Sequence, residues 1–218
     1  MAELRSEEEQ VQAIKDWWER NGSSLLIGIG AALAIVFGWQ AWQSNLEQQR
    51  AEAANQFATL LNAFADDSDE DAGETVAFVA QTLREDHGKS AYAIYGNLVL
   101  ANQQMLLDSN AEGAIDTLQW ALEKASDYPA LSLVVRNRLA RAQFATEQYD
   151  DALATIDGAG NSDAFAGIFS ELRGDVLLAK GDAEGAREAY LAAREQNQQG
   201  RSGILELKLS DLGVGEGA

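Results

Sequence analysis

Between Arg20 and Glu47 the chain carries no charged residue. The heart of that interval, residues 23–42, reads SSLLIGIGAALAIVFGWQAW. An uncharged, mostly apolar run of about 18 residues or more is long enough, at about 1.5 Å per helical residue, to cross the roughly 30 Å of bilayer hydrocarbon. Trp17 and Trp18 stand before the run, and Trp39 and Trp42 after it. The 21 steps from Trp18 to Trp39 correspond to about 31 Å of helix. That spacing matches aromatic belts at the two membrane interfaces. A buried helix of a soluble domain would show a polar edge. Residues 23–42 are therefore expected to form a transmembrane helix.

A cleaved signal peptide has a short basic head, an apolar region of about 7–15 residues and small residues at its cleavage site. Here the head carries six acids, the apolar run is longer, and Gln40, Trp42 and Gln43 put bulky groups after it. The run reads as a retained anchor. Lysine and arginine near a span stay on the cytoplasmic side. Arg5, Lys15 and Arg20 precede the run, whereas only Arg50 follows it closely. This predicts a cytoplasmic N-terminus and a C-terminal part beyond the membrane.

That part, residues 47–218, is long enough to bury a core of its own. The formal charge of −19 argues against nucleic acid and anionic lipid headgroups, both of which require a basic face. The chain has no cysteine, so disulfides and thiolate metal sites are excluded. Its one proline, Pro129, suits an almost entirely helical chain.

Residues 1–22 form an acidic segment. Within it Val11, Ile14, Trp17 and Trp18 fall on one helical face, the pattern of a short helix lying on a membrane surface. Asn21 and Gly22 are expected to break that helix before the span. Inside the span Gly30, Ala34 and Gly38 recur every four residues, with Gly28 and Ala32 in parallel. Such a stripe lets a second membrane helix approach closely.

Residues 43–90 read as a linker helix and a first helical pair. Phe57, Leu60, Leu61 and Phe64 keep the helical spacing of one apolar face, and Val76, Val79, Ala80 and Leu83 form another, ended by His87 and Gly88. The acidic loop at residues 66–71 lacks the glycine and closing glutamate of an EF-hand.

From residue 91 a repeat emerges. Three segments share a helix, a short polar turn and a second helix with a small residue at its heart: Ala114, Ala152 and Ala186, at steps of 38 and 34. Four positions beyond each stand Leu118, Ile156 and Tyr190, and three further on Ala121, Ala159 and Ala193. A helix–turn–helix period of about 34 residues is the tetratricopeptide pattern. Paired helices pack closely only where small residues meet, and one pair cannot bury its apolar face alone, so units stack. The third unit fits best, with Gly174, Gly181, Ala186, Tyr190 and Ala193 in place; the first two lack the consensus glycine. Residues 91–212 are thus expected to form tetratricopeptide-like repeats with a C-terminal capping helix around Ile204, Leu205, Leu207, Lys208 and Leu209. A frayed tail follows at 213–218. The fold class is all-α: a single N-terminal transmembrane helix followed by a tetratricopeptide-like α-solenoid.

Catalytic chemistry has little to work with. His87 is the one histidine. It sits in a polar turn and is expected to be solvent-exposed. No nucleophile has a base beside it in the pattern that covalent catalysis needs. The paired acids read as solvated charge, and Gly28 and Gly30 precede no Walker lysine. No catalytic, metal or cofactor residue is assigned.

The head and anchor run EEEQVQAIKDWWERNGSSLLIGIGAALAIVFGWQAWQ, with the later stretches RNRLARAQF and LRGDVLLAKGDAEGAREAY, resembles the YfgM family, the ancillary subunit of the bacterial SecYEG translocon. The resemblance covers nearly the whole chain. It implies a single-pass inner-membrane protein with a periplasmic tetratricopeptide-like domain. It further implies association with SecYEG and with the periplasmic chaperone PpiD, a role in helping translocated client proteins leave the translocon, and a link to a stress response. The other architecture the residues allow is a membrane-anchored scaffold for another envelope assembly or for cytochrome c maturation.

In a repeat array the first helices of successive units line the concave face. Aligned on the three anchoring alanines, Val99, Gln103, Asn137, Arg141, Phe144, Glu171, Asp175 and Leu178 are expected to line a protein-binding groove. Gly30, Ala34 and Gly38 are expected to pack against a partner membrane helix.

Overall fold

The computed structural model describes residues 7–66, 70–160, 165–196 and 203–214. Part of the expected acidic loop, at 67–69, and the end of the expected tail, at 215–218, lie outside the described residues. Among the described residues the chain is helical without strands. The helices are α1 Glu7–Ala65, α2 Ala72–Asp86, α3 Ala91–Leu106, α4 Ala111–Lys124, α5 Pro129–Ala145, α6 Tyr149–Asp157, α7 Ala166–Ala179, α8 Ala183–Gln196 and α9 Gly203–Asp211. A 3₁₀ turn, Ala125–Asp127, joins α4 to the Pro129 start of α5, where proline's missing N–H costs nothing. The helices form two compact units, Met1–Glu52 and Ala53–Ala218.

In the first unit, α1 is long and apolar enough to cross a membrane. The expected break at Asn21 and Gly22 is absent: α1 runs straight through both. The Asn21 side chain donates to the Trp17 carbonyl at 3.0 Å, and the Trp18 ring packs over Gly22. One interior glycine costs a helix only about 1 kcal/mol, which an unbroken hydrogen-bond ladder on both sides overrides. The side chains of Val11, Ile14, Trp17 and Trp18 are all exposed.

The second unit is built from paired helices whose buried faces follow the sequence spacing. Ala53 and Leu60 at the end of α1 share one apolar cluster with Val76, Val79, Ala80 and Leu83 of α2 and Ala93 and Leu100 of α3. Leu61 and Phe64, which share the apolar spacing of Leu60, are exposed. Gly96 lets these helices meet, because a Cβ there would stand 2.9 Å from the Leu83 side chain. Asn97 is fully buried yet fully used. Its amide donates to the Ala93 carbonyl at 2.8 Å, and its oxygen accepts from Arg84 at 2.7 and 3.2 Å. The Arg84 guanidinium lies 4.5 Å over the Trp120 ring, so a single side chain ties α2, α3 and α4 together. His87 is half-buried at the end of α2 rather than exposed.

Ala114, Ala152 and Ala186 are all fully buried, and Leu118, Ile156 and Tyr190 nearly so. The spacing therefore located the crossing points of α3 with α4, α5 with α6 and α7 with α8. Each pair turns through one residue of positive φ: Ser109 at 52°, Glu147 at 61° and Gly181 at 86°. Only the third unit has the glycine such a conformation favours. The missing consensus glycine of the first two units is thus a substitution at a retained geometry, not a lost turn. Polar pairs brace the first two units at equivalent places, Thr117 donating to Gln104 at 3.0 Å and Thr155 to Gln143 at 2.7 Å.

Helix α9 closes the array. Leu205 and Leu209 bury against Ala186, Tyr190 and Ala193, while Ile204 and Leu207 of the same expected capping helix are exposed. Lys208 Nζ reaches back to α7, 2.8 Å from Glu171 Oε1 and 2.7 Å from Asp175 Oδ1.

Candidate functional site

The end of α1, α3 and α5 enclose an open groove of about 430 Å³. Phe57 and Phe64 come from α1; Tyr95, Leu98, Val99, Ala101, Asn102, Met105 and Leu106 from α3; Leu118 from α4; Val134, Arg138, Arg141 and Ala142 from α5. The starts of α3 and α4 are fixed by side-chain caps: Ser90 accepts from the Ala93 N–H at 3.2 Å and Asn110 from the Gly113 N–H at 3.0 Å. Apolar groups dominate the walls, and one edge carries two arginines and an asparagine. A concave, mostly apolar site with a few polar groups suits a protein segment that buries side chains and is oriented by its polar edge.

Two of the expected groove residues, Val99 and Arg141, line this groove. The others are placed differently. Gln103 is buried, 4% exposed, and donates to the Gly73 carbonyl at 3.2 Å and to Asp108 at 3.3 Å, so it braces the fold. Asn137 is half-buried behind Arg141, whose Nε donates to its oxygen at 3.2 Å. Phe144 packs on the apolar cluster of α5, α6 and α7, its ring 6.1 Å from that of Tyr149. Glu171 and Asp175 are engaged by Lys208. Leu178 is exposed near the end of α7.

The discrepancy has a geometric cause. Four residues, 107–110, join α3 to α4, but three, 146–148, join α5 to α6. Counting back from the second helix of each unit therefore rotates the first helix by one residue, about 100°. With that shift Val99 becomes equivalent to Arg138 and Asn102 to Arg141, and each pair lies in the groove. In the third unit Asp175 is equivalent to Arg141, and Asp175 is engaged by Lys208 of α9.

Two groups where α9 meets α7 and α8 have perturbed proton affinities. Burial raises the Tyr190 phenol, helped by its hydrogen bond to Asp175 and the negative charges of Asp175 and Glu171. Burial alone would lower Lys208, but its hydrogen bonds and charge pairing with Asp175 and Glu171 outweigh this and raise it. A group whose affinity is raised by folding contributes stability in full below its unfolded value, here 10.0 for tyrosine and 10.5 for lysine, and loses it as pH rises through the folded value. The urea midpoint of the second unit should therefore fall as pH is raised from about 10 upward. A flat midpoint across that range would contradict the pairing of α9 with α7.

In the first unit a Cβ on Gly28, Gly30 or Gly38 would meet nothing within 4 Å, and Ala34 is exposed. The small-residue stripe thus stands uncovered on α1.

A family model described as a tetratricopeptide repeat-like domain matches residues 15–214. Curated relatives match over nearly their whole length. A protein of Escherichia coli named ancillary SecYEG translocon subunit is 30% identical over 210 residues, covering 96% of this chain and 98% of that one. Proteins of the same name from Haemophilus influenzae, 29% identical over 212 residues, and Neisseria gonorrhoeae, 26% identical over 216 residues, are each covered completely and cover 97% of this chain. No solved structure matches.

Proposed function

The chain belongs to the family of the ancillary SecYEG translocon subunits, and from that premise we propose that it is a non-enzymatic, membrane-anchored adaptor at the translocon. Its apolar helix holds it in the inner membrane with the N-terminus in the cytoplasm, as the bias of Arg5, Lys15 and Arg20 favours. The repeat domain then stands in the periplasm. There it receives apolar segments of translocated proteins and passes them toward PpiD. The observation that carries this reading is the open groove between α1, α3 and α5, whose apolar walls suit chain segments that have not yet found a core. Gly30, Ala34 and Gly38 give the anchor a face on which a translocon or chaperone helix fits closely.

Purification of the tagged full chain in mild detergent tests the proposal. SecYEG and PpiD should be recovered with it, and Ala34→Leu should reduce that recovery while the variant still inserts in the membrane. Recovery of neither partner, with the chain itself intact in the membrane fraction, would contradict the assignment.

A further inference from the structure

The layer of helices that forms the groove carries no acidic residue. Residues 53–65 of α1, the 16 residues of α3 and the 17 residues of α5 contain no Asp or Glu, in a chain with 35 acids against 16 bases. The acids stand on the helices paired behind them: Glu74, Glu85 and Asp86 on α2, Glu112, Asp116 and Glu123 on α4, Asp150, Asp151 and Asp157 on α6. Helix α5 holds three arginines. Arg136 turns away and donates to the Thr155 carbonyl at 3.2 Å. Arg138 and Arg141 both line the groove and both are exposed. Among the described residues neither forms an ion pair, and Arg141 commits only its Nε, to Asn137. Two like charges one helical turn apart repel mildly, and no acidic side chain on the groove-forming helices offsets them. Here most of the guanidinium donors point at nothing the protein supplies.

We propose that the groove selects segments in which an acidic side chain stands within an apolar stretch, the carboxylate being read by Arg138 and Arg141. This rests on the binding function proposed above and adds its specificity. The overall charge of −19 opposes an acidic ligand. That opposition is screened over about 8 Å at physiological ionic strength, whereas a carboxylate docked on the arginines is in contact and can accept two parallel hydrogen bonds from one guanidinium. The local pair therefore decides. The carboxylate belongs to a side chain and not to a chain end, because apolar surface continues beyond the cavity. Tyr92 and Leu107, which flank the lining residues without belonging to them, are 37% and 73% exposed, and the Tyr92 ring lies 5.8 Å from that of Phe57, so a segment that covers them passes through the groove and does not stop in it.

The test uses the full chain in detergent and three fluorescent peptides with the same Leu and Phe residues. One has a central Glu and blocked ends, one a central Gln and blocked ends, and one a central Gln and a free C-terminal carboxylate. The Glu peptide should bind about tenfold more tightly than its blocked Gln counterpart, the scale of one charge-assisted hydrogen bond. The double variant R138Q/R141Q should bring the two to the same affinity. Equal binding of the Glu and Gln peptides by the unmodified chain overturns the selectivity and leaves the groove's binding function standing. Binding of none of the three overturns both. A preference for Glu that survives in R138Q/R141Q overturns the assignment to these arginines. Tightest binding of the free-carboxylate peptide overturns the choice of a side chain over a chain end.

Discussion

Replacing Tyr190 by alanine is expected to cost the second unit about 4 kcal/mol, the middle of the range for deleting a buried aromatic ring. Tyr190 is 1% exposed and has Ala186, Ala193, Leu205 and Leu209 around it. Its ring lies so close over Gly174 that a Cβ there would stand 2.3 Å from a ring carbon. Its hydroxyl donates to Asp175 at 2.8 Å. One residue thus fills the crossing of α7 and α8, supports α9 and satisfies a carboxylate. Tyr190→Phe keeps the ring and should lose only about 2 kcal/mol, the worth of one hydrogen bond to a charged group. Urea unfolding of the full chain in mild detergent, followed by circular dichroism, measures both. A loss below about 1 kcal/mol for Tyr190→Ala would mean that the crossing collapses without strain and that α9 is not anchored there.

The second large effect is expected at Lys208. Its ammonium meets Glu171 and Asp175, and the three side chains are only 26%, 22% and 20% exposed. Removing one member of a shielded ion cluster leaves like charges facing each other without a counter-ion, at a cost of about 3–5 kcal/mol for fully buried cases. Partial exposure places Lys208→Met at the lower end, about 3 kcal/mol. If the cost is electrostatic, adding Glu171→Gln and Asp175→Asn to Lys208→Met should recover most of it. If the triple variant is as unstable as the single one, Lys208 acts through the packing of its stem and the charge argument fails.

The legibility of this chain depended on which feature carried the signal. The anchor was legible because a charge-free run between tryptophans has few other uses. The crossing points of the repeats were legible because helix packing demands a small residue opposite a large one, and Ala114, Ala152 and Ala186 occupy those places. The groove face was only partly legible. A single extra residue in the turn at 107–110 rotates α3 relative to its alignment with α5, and Gln103 goes inside while Asn102 comes into the groove. The spacing of Tyr95, Leu98, Asn102 and Met105 on one stripe held that information, but alignment on the second helices overrode it. Glu171 and Asp175 were misplaced for another reason. Counting along α7 cannot reveal that α9 returns to pair with its carboxylates; the one hint was Lys208, the single cation of the terminal helix. Phe57 and Phe64 were legible only as members of one apolar helical face, because apolar spacing alone does not distinguish a buried face from the wall of an open groove.

The proposed function requires that the face formed by α1, α3 and α5 receive segments of other proteins as they emerge from the translocon. A photoreactive residue in place of Asn102, which is exposed within the groove, addresses it directly in intact membranes carrying a secretory protein arrested in transit. A second chain with the same group at Phe78, 72% exposed on α2, serves as the contrast. The account predicts that the arrested protein is captured from Asn102 and not from Phe78. Capture from Phe78 with none from Asn102 would contradict it.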